Sequence, residues 1–162
     1  MLQVISNVKN SQYGFTLIEL LLVIGITLIL AAASVPVYGN LQVSAQLNEN
    51  TAQIIQAIRT ARGRSIAGLN NASHGIYFEI NAGSSDRFTL YQGSSYIGRN
   101  SLYDRVVTLD NALSILTTLS GNEVNFSKGL GVPNANGMVT LTHTVNSNRV
   151  IDINNFGVVE EK

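Results

Sequence analysis

The sequence predicts an α+β protein in which one long N-terminal helix packs on an antiparallel β-sheet head. Three observations predict this fold. A strongly apolar run begins at Phe15, an amphipathic helical pattern follows Pro36, and short β-like runs broken by Gly, Asn and Ser begin near residue 68. Short strands that follow a single long helix are typical of the α+β class.

Length and composition limit the function classes that the chain can belong to. Its 162 residues leave room for one compact domain plus an anchor. The formal net charge is zero and only 12% of the residues are charged, so no global basic field points to nucleic acid. Cysteine is absent, which excludes a disulfide framework, a thiol nucleophile and thiolate metal ligands.

The N-terminal third combines a polar leader with an apolar run. Residues 1–14 are mostly polar and carry one charge, Lys9, so we interpret them as a leader outside the fold. Residues 15–35 carry one formal charge, Glu19. As a helix this run is about 31 Å long, enough to cross the hydrocarbon core of a bilayer. An ionised acid near the bilayer centre costs about 2.5–3.5 kcal/mol, so an acid kept there indicates a function.

An ordinary secretory signal is the alternative interpretation. Residues 20–30 can serve as its apolar core, and the small residues 31–33 before Ser34 can serve as its cleavage site. This alternative predicts a secreted, enzymatic β protein that starts at Ser34. Against it, the leading region would be long and weakly basic, and Glu19 would sit at the edge of the apolar core.

The stretch Gly14-Phe15-Thr16-Leu17-Ile18-Glu19 resembles the processing site of type IV pilins and type II secretion pseudopilins. The resemblance implies that a prepilin peptidase cuts between Gly14 and Phe15 and methylates the new amine of Phe15. It makes Glu19 the fifth mature residue, and it places Pro36 where many of these subunits have a helix-kinking proline.

Charge complementarity agrees with that resemblance. Cleavage would create a cationic amine on Phe15, which supplies a partner for Glu19 within one subunit or between neighbouring subunits. A buried pair of this kind is better explained as a device that sets the register of assembly than as a source of stability.

The amphipathic pattern extends the helix from residue 15 to about residue 67, with a kink at Pro36 and a loosened turn at Gly39. Its apolar positions recur at steps of three, four or seven residues: Leu41, Leu47, Ile54, Ile58, Ala61 and Ile66 or Leu69. The predicted domain organisation is a leader (1–14), a transmembrane and assembly half of the helix (15–37), an amphipathic half (38–69) and a β head (70–162).

Arg59, Arg62 and Arg64 form the only basic cluster on the predicted helix. Cations at a helix C-terminus complement the macrodipole, which is the simplest explanation for them. A contact with an acidic surface of a neighbouring subunit, or with a phosphate backbone, is the alternative that concerns function.

The head is predicted to contain about seven short strands, the first two of which form a hairpin. The β-like runs are residues 74–80, 87–92, 101–110, 112–119, 122–127, 137–144 and 148–153, with 157–159 as a final edge strand. Of these, residues 112–119 also fit a helix, and the two threonines at 117 and 118 favour a strand.

The head also resembles the heads of GspH/FimT-type minor pseudopilins. The resemblance rests on Ala61-Arg62-x-x-Ser65-Ile66, on residues 124–131 and on the closing residues 149–159. Some members of that group bind DNA through a basic tail after the last glycine. Here residues 158–162 are acidic and would repel phosphate, so DNA is not an expected partner.

The rest of the sequence offers no chemistry that competes with assembly. His74 and His143 lie in separate β-like runs without a second ligand at metal-binding spacing, and no calcium loop, phosphate loop or nucleophile elbow is present. We therefore expect no enzyme activity, metal or cofactor.

The resemblance then implies a structural subunit that is processed and assembled into a type IV pilus or a type II secretion pseudopilus, as a minor initiating or tip subunit or, alternatively, as a major pilin. It implies a single pass through the inner membrane with a periplasmic or extracellular head. The implied partners are the peptidase, other subunits through their N-terminal helices, the inner-membrane assembly platform and, before assembly, the lipid bilayer.

Overall fold

The computed structural model describes residues 14–145 and 147–162, without the side chains of residues 34–37. The predicted leader other than Gly14, and the side chain of Pro36, therefore lie outside the described residues. One helix, α1 (Leu17–Ile66), precedes eight strands: β1 (His74–Glu79), β2 (Arg87–Gln92), β3 (Arg105–Thr108), β4 (Leu113–Thr117), β5 (Glu123–Phe126), β6 (Gly137–His143), β7 (Ser147–Ile153) and β8 (Val159–Glu161). Three short 3₁₀ turns are Leu69–Asn71, Ser101–Tyr103 and Ser120–Asn122.

The chain divides into two compact units, with the boundary between Gly39 and Asn40. In the second unit, the predicted stripe on α1 is buried at four of its positions: Leu47, Ile54, Ile58 and Ala61. Their spacing of seven, four and three residues puts them on one face of the helix. The amphipathic pattern is confirmed for this part of α1.

The prediction is wrong at the two ends of the apolar stripe, where the side chains are exposed. Leu41 is 61% exposed, because the sheet core reaches the helix only from Val43 onward. Ile66 and Leu69 are also exposed, since α1 ends at Ile66 and the chain reverses direction at Gly68, which has a left-handed conformation. Two polar side chains, Thr51 and Ser65, are buried on α1 as well.

The strands form two antiparallel four-stranded sheets, which confirms the predicted antiparallel β head. Sheet 1 has the order β3-β2-β1-β5 and sheet 2 the order β4-β6-β7-β8. The predicted first hairpin is confirmed, with His74 opposite Gln92 and Glu79 opposite Arg87. Alternate apolar side chains of both sheets and the buried stripe of α1 form one continuous core, as expected for strands with one buried face.

Two predictions in the second half of the head have different outcomes. The strand predicted within residues 112–119 is confirmed as β4, Leu113–Thr117. The final strand is β8 rather than residues 157–159. Gly157 has a φ of 72°, and the side chain of Asn154 accepts hydrogen bonds from the N–H groups of Phe156 and Val158. These residues make a turn, so β8 begins only after it.

Asp86 joins the two sheets. Its buried carboxylate accepts one hydrogen bond from the N–H of Asn81 (2.7 Å) and another from the N–H of Ile115 on β4 (2.6 Å). Its backbone oxygen accepts a hydrogen bond from the N–H of Leu109 (2.9 Å). A buried carboxylate is tolerated only when its oxygens are satisfied, and here the satisfying groups come from both sheets.

A loop between β2 and β3 covers the outer face of sheet 1. Tyr96 of this loop stacks on Tyr77 at 3.8 Å between ring centroids, and the Arg99 guanidinium lies 3.7 Å from the Tyr96 ring. Arg99 also forms an ion pair with Asp104 at 2.7 Å. Beneath the loop, burial raises the pKa of Tyr91.

Gly75 of β1 lies in close contact with the Tyr91 side chain of β2 and with the backbone of β5. A Cβ atom added there would lie 2.5 Å from the Tyr91 hydroxyl and 2.7 Å from the backbone oxygen of Val124. The second contact is with backbone and cannot be relieved by a rotamer change.

We predict that Gly75→Ala lowers the free energy of unfolding by about 1–3 kcal/mol, the usual effect of overpacking a filled site. Thermal unfolding of the full chain in detergent micelles, followed by circular dichroism, measures this change. Gly63→Ala is the matched control, because Gly63 is an exposed helical residue and no atom of the described part of the chain lies within 4 Å of an added Cβ. It should stabilise the chain by up to about 1 kcal/mol. Equal stability of the two variants would contradict the packing argument.

Candidate functional site

The predicted cleavage site lies in an exposed, non-helical segment. Gly14, Phe15 and Thr16 precede the first residue of α1 and are exposed, Phe15 to 81%. Among the described residues, no atom lies within 4 Å of a Cβ added at Gly14. The described contacts therefore do not require glycine at this position. A requirement for glycine would come from a partner that handles this segment.

Glu19 lies in the first turn of α1, where Thr16 caps the helix. The N–H of Glu19 donates to the Thr16 hydroxyl (3.3 Å), and the N–H of Leu20 donates to the Thr16 carbonyl (3.1 Å). A threonine followed three residues later by a glutamate is the capping-box pattern, and an acid in the first turn is stabilised by the helix macrodipole. The sequence interpretation missed Thr16, although this spacing would have identified it.

The helix after Glu19 is apolar on all sides. Thr27 is polar, but its hydroxyl bonds to the carbonyls of Val23 and Ile24, each at 2.9 Å. By length and composition, α1 contains a segment that can cross a membrane. The following large apolar side chains are each about half exposed or more: Leu17, Ile18, Leu20, Leu21, Leu22, Val23, Ile24, Ile26, Leu28, Ile29 and Leu30. A helix of this kind needs apolar surroundings.

The two predicted helix-loosening residues lie within α1. Gly39 is helical, and an added Cβ there would meet no atom of the described side chains within 4 Å. Pro36 is also within the helix bounds. The kink at Pro36 and the loosened turn at Gly39 stay predictions.

The three arginines separate into a pair and a single residue. Arg59 donates to the carbonyl of Val159 (3.4 Å) and Arg62 to the carbonyl of Gly131 (3.2 Å), and both line a surface cavity of about 290 Å³. Arg64, in the last turn of α1, instead contributes to a lowered pKa of His74. The structure thus brings Arg59 and Arg62 together and leaves Arg64 apart.

The two head segments that carry the GspH/FimT resemblance meet each other at Arg62. A Cβ atom added at Gly157 would lie 3.0 Å from the Phe126 ring, 3.1 Å from Arg62 Nε and 3.2 Å from the Gly131 carbonyl. Gly131 and Gly157 both have positive φ, 64° and 72°. Glycine is favoured at both positions by conformation and by this close approach to the end of α1.

The two histidines lie on different sheets. His74 is buried on β1, and His143 on β6 lies 3.1 Å, Nε2 to Oε1, from Gln46 of α1. Among residues 14–145 and 147–162, no group of three or more His, Cys, Asp or Glu side chains could hold a metal ion.

Comparison with known proteins finds one family. A family model described as the prokaryotic N-terminal methylation motif matches residues 9–35. These residues include Gly14, Phe15 and Glu19. No curated protein and no solved structure matches the chain.

The buried His74 predicts a pH-dependent stability. Burial lowers its pKa from 6.5, and the positive charge of Arg64 lowers it further. The unfolded chain therefore binds this proton at a higher pH than the folded chain, and the free energy of unfolding falls as the pH drops below about 6.5. Glu79, whose pKa is lowered by its hydrogen bond to Arg87, acts only in a more acidic range.

We expect His74→Gln to reduce the loss of stability between about pH 7.5 and pH 5.5, because glutamine has no proton to gain. Urea unfolding of the full chain in detergent at both pH values measures this loss. Arg64→Gln should reduce this loss of stability only partly, since it removes the positive charge near His74 but leaves His74 buried. A His74→Gln chain that keeps the full loss would show that another group is responsible.

Proposed function

We propose that this type IV pilin-like protein is the precursor of a filament subunit, cleaved between Gly14 and Phe15 and methylated on the amine of Phe15. The match of residues 9–35 to the N-terminal methylation motif carries the proposal. That motif implies processing by a prepilin peptidase and assembly with other pilins, and it points to a structural subunit rather than an enzyme. The exposed, non-helical position of Gly14 and Phe15 suits a segment that must enter a peptidase.

Assembly is proposed to proceed through the apolar half of α1. The motif together with one apolar helix fits a single-pass, membrane-anchored protein. In the proposed mechanism the bilayer surrounds this helix in the inner membrane, with the head on the periplasmic or extracellular side. The assembly platform then moves the helix into the filament, where neighbouring helices replace lipid around the same side chains.

Glu19 is proposed to select the register of assembly. It is the only ionisable residue between residues 15 and 35. A charged carboxylate in apolar surroundings is stabilised by a cationic partner. The amine created on Phe15 lies one residue before the Thr16 cap and can supply that charge, in the same subunit before assembly and in a neighbour afterwards. Such a pair acts through specificity more than through stability.

A minor, GspH/FimT-like role is the form of the proposal that we favour. It is supported by the meeting of residues 124–131 and 149–159 at Arg62, which gives the two resembling segments a shared packing role. Arg59 and Arg62, beside their cavity, are proposed as contacts to an acidic surface of a neighbouring subunit, and Arg64 as a lesser contact. The alternative, a major pilin, would be abundant in sheared filaments.

DNA binding is the candidate from a different class, and the tail disfavours it. Glu161 pairs with Arg149 at 3.1 Å and Lys162 pairs with Asp152 at 2.6 Å. The tail therefore has no surplus of basic groups for phosphate. A gel shift with the full chain, repeated at rising salt, would detect such binding by its salt dependence.

We predict that Gly14→Val leaves the chain unprocessed, because a β-branched residue would not fit a peptidase pocket built for glycine. The intact mass of membrane-extracted protein measures the result. Wild-type chain should start at Phe15 and carry one added methyl group. Gly25→Val is the control, since a Cβ at Gly25 also meets no atom of the described residues within 4 Å and the residue lies beyond the cleavage site.

A mature mass for the Gly14→Val chain would defeat the processing proposal. A start at Ser34 would instead support the ordinary secretory signal.

We predict that Glu19→Ala inserts and is cleaved but enters filaments poorly. Mixed expression with wild-type chain, followed by mass spectrometry of sheared filaments or surface fractions, measures its incorporation. Glu19→Gln separates charge from shape and should behave like Glu19→Ala. Glu49→Ala removes an acid farther along the same helix and should be incorporated normally. Full incorporation of Glu19→Ala would remove the role proposed for this carboxylate.

A further inference from the structure

The two sheets have four edge strands, and the described residues protect three of them. On β5, the outward backbone of Asn125 bonds to Asn134, whose side-chain oxygen accepts from the Asn125 N–H (2.7 Å) and whose N–H donates to the Asn125 carbonyl (2.8 Å). The N–H of Ser127 donates to the carbonyl of Val132 (2.9 Å). An unprotected edge invites pairing with another chain, and here the chain itself occupies the edge.

The two edges of sheet 2 are protected by other means. On β4, the outward N–H of Ile115 bonds to Asp86 and that of Leu113 to the carbonyl of Asp110 (2.9 Å). On β8, Arg59 donates to the carbonyl of Val159. That strand is also only three residues long and carries two glutamates, which discourages pairing.

Strand β3 lacks such protection. The bond from the Leu109 N–H to the Asp86 carbonyl sets the ladder between β2 and β3. Since bonded pairs alternate in an antiparallel ladder, Arg105 and Val107 bond to β2, while the backbone groups of Val106 point away from the sheet. Within the described chain, no hydrogen bond reaches the N–H or C=O of Val106. Its side chain is 52% exposed.

A groove of about 710 Å³ runs between β3 and α1. Its apolar walls are Ala52 and Ala57 on the helix and Phe88, Leu90 and Val107 on the sheet, and Arg105 lies in it as well. On the helix wall, the Glu49 carboxylate already accepts a hydrogen bond from Gln53 (3.4 Å). Arg105 is exposed and forms no ion pair in the part of the chain that the structure describes.

We propose that β3 and this groove bind an extended segment of another polypeptide by strand addition. The backbone of the segment would pair with Val106. Since side chains alternate along a strand, every second residue of the segment would point into the groove. Those residues would be apolar opposite Val107, with a carboxylate opposite the unpaired Arg105. Main-chain bonds supply affinity in this mode of recognition, and the groove supplies specificity.

A second copy of the chain does not fit this edge. Pairing β3 with β3 in two copies would be antiparallel and would make the helices of residues 40–66 run in opposite directions, because a two-fold axis relates the copies. This exclusion rests on the proposed function: subunits inserted with every head on the same side of the membrane would carry their helices into the filament in the same direction. A copy in parallel orientation would have to offer another edge, and those edges are protected.

Synthetic peptides test the proposal on the full chain in detergent micelles. The probe is an acetylated peptide, Thr-Val-Thr-Val-Thr-Glu-Thr, extended by Gly-Trp, whose second, fourth and sixth residues face one side. The protein contains no tryptophan, so fluorescence anisotropy of the peptide's own tryptophan reports binding. One control peptide has the same composition without alternation. The other is methylated on the backbone nitrogens that would bond to β3.

Variants of the protein test the groove and its charge. Arg105→Glu should weaken binding of the acidic peptide about tenfold, and a peptide with lysine in place of glutamate should bind that variant and not the wild type. Lys128→Glu is the control. It makes the same change of charge just after β5, at the other edge of sheet 1, and should leave binding unchanged. Ala52→Phe, at an exposed helix position, should block the groove and abolish binding.

Saturable binding that needs alternation, free backbone N–H groups and the matching charge supports strand addition. Absence of saturable binding overturns it, as does equal binding of the backbone-methylated peptide. A Val106→Cys chain that forms disulfide-linked dimers would show that β3 pairs with β3 of a second copy, and would overturn the choice of another polypeptide as the partner.

Failure here is distinguishable from failure of the proposed function. A chain that starts at Phe15 and binds no peptide contradicts strand addition alone. An unprocessed chain that binds the peptide supports strand addition and contradicts the processing proposal.

Discussion

The apolar surface of α1 between Leu17 and Leu30 is the constraint on which the rest of the chain depends. Burying one large aliphatic side chain is worth about 1.5–3 kcal/mol, and eleven of them are at least about half exposed on this segment. The free energy of burying the exposed parts of these side chains is comparable with the whole net stability of a domain, about 5–15 kcal/mol. The core of the head is packed against α1 only from Val43 onward. Apolar side chains such as those of residues 17–30 are stabilised by a bilayer or by other apolar helices around them.

The same helix meets a different requirement at its C-terminal end, where polar contacts position the head. The hydroxyl of Ser65 accepts from the His74 N–H (2.8 Å) and donates to the His74 carbonyl (3.3 Å), while the Ser65 carbonyl accepts from the Gly129 N–H (2.8 Å). Apolar burial along Leu47 to Ala61 is non-directional and would tolerate sliding. These bonds are directional and connect the end of α1 to β1 and to the turn after β5.

Local periodicity was enough to predict α1, the first hairpin and the strand nature of β4. The apolar period of 3.6 residues in a helix or 2 residues in a strand can be recognised from residues that are close in sequence. Local periodicity could not predict where the sheets begin to cover the helix, so Leu41 was misassigned, nor how the turn at Gly157 delays β8. Of the candidate site, Gly14, Phe15 and Glu19 came from one motif, and Thr16 could have come from its capping spacing. The sequence could not have shown that β3 is the unprotected edge. That conclusion depends on how the other edges are protected, for example by the hydrogen bond from the Ile115 N–H of β4 to Asp86, two residues that lie 29 positions apart in the chain.

The capping geometry gives processing a physical meaning beyond removal of a leader. In the precursor, the only positive potential beside the Glu19 carboxylate within the described turn is the helix N-terminus, equivalent to about half an elementary charge. The proposed cleavage after Gly14 would add a full cationic amine one residue before the Thr16 cap, and methylation would keep that charge. Because an uncompensated acid is costly in apolar surroundings, this cleavage would lower the free-energy cost of keeping Glu19 there. In the proposed assembly, the same amine is the group through which a neighbouring subunit would compete for Glu19.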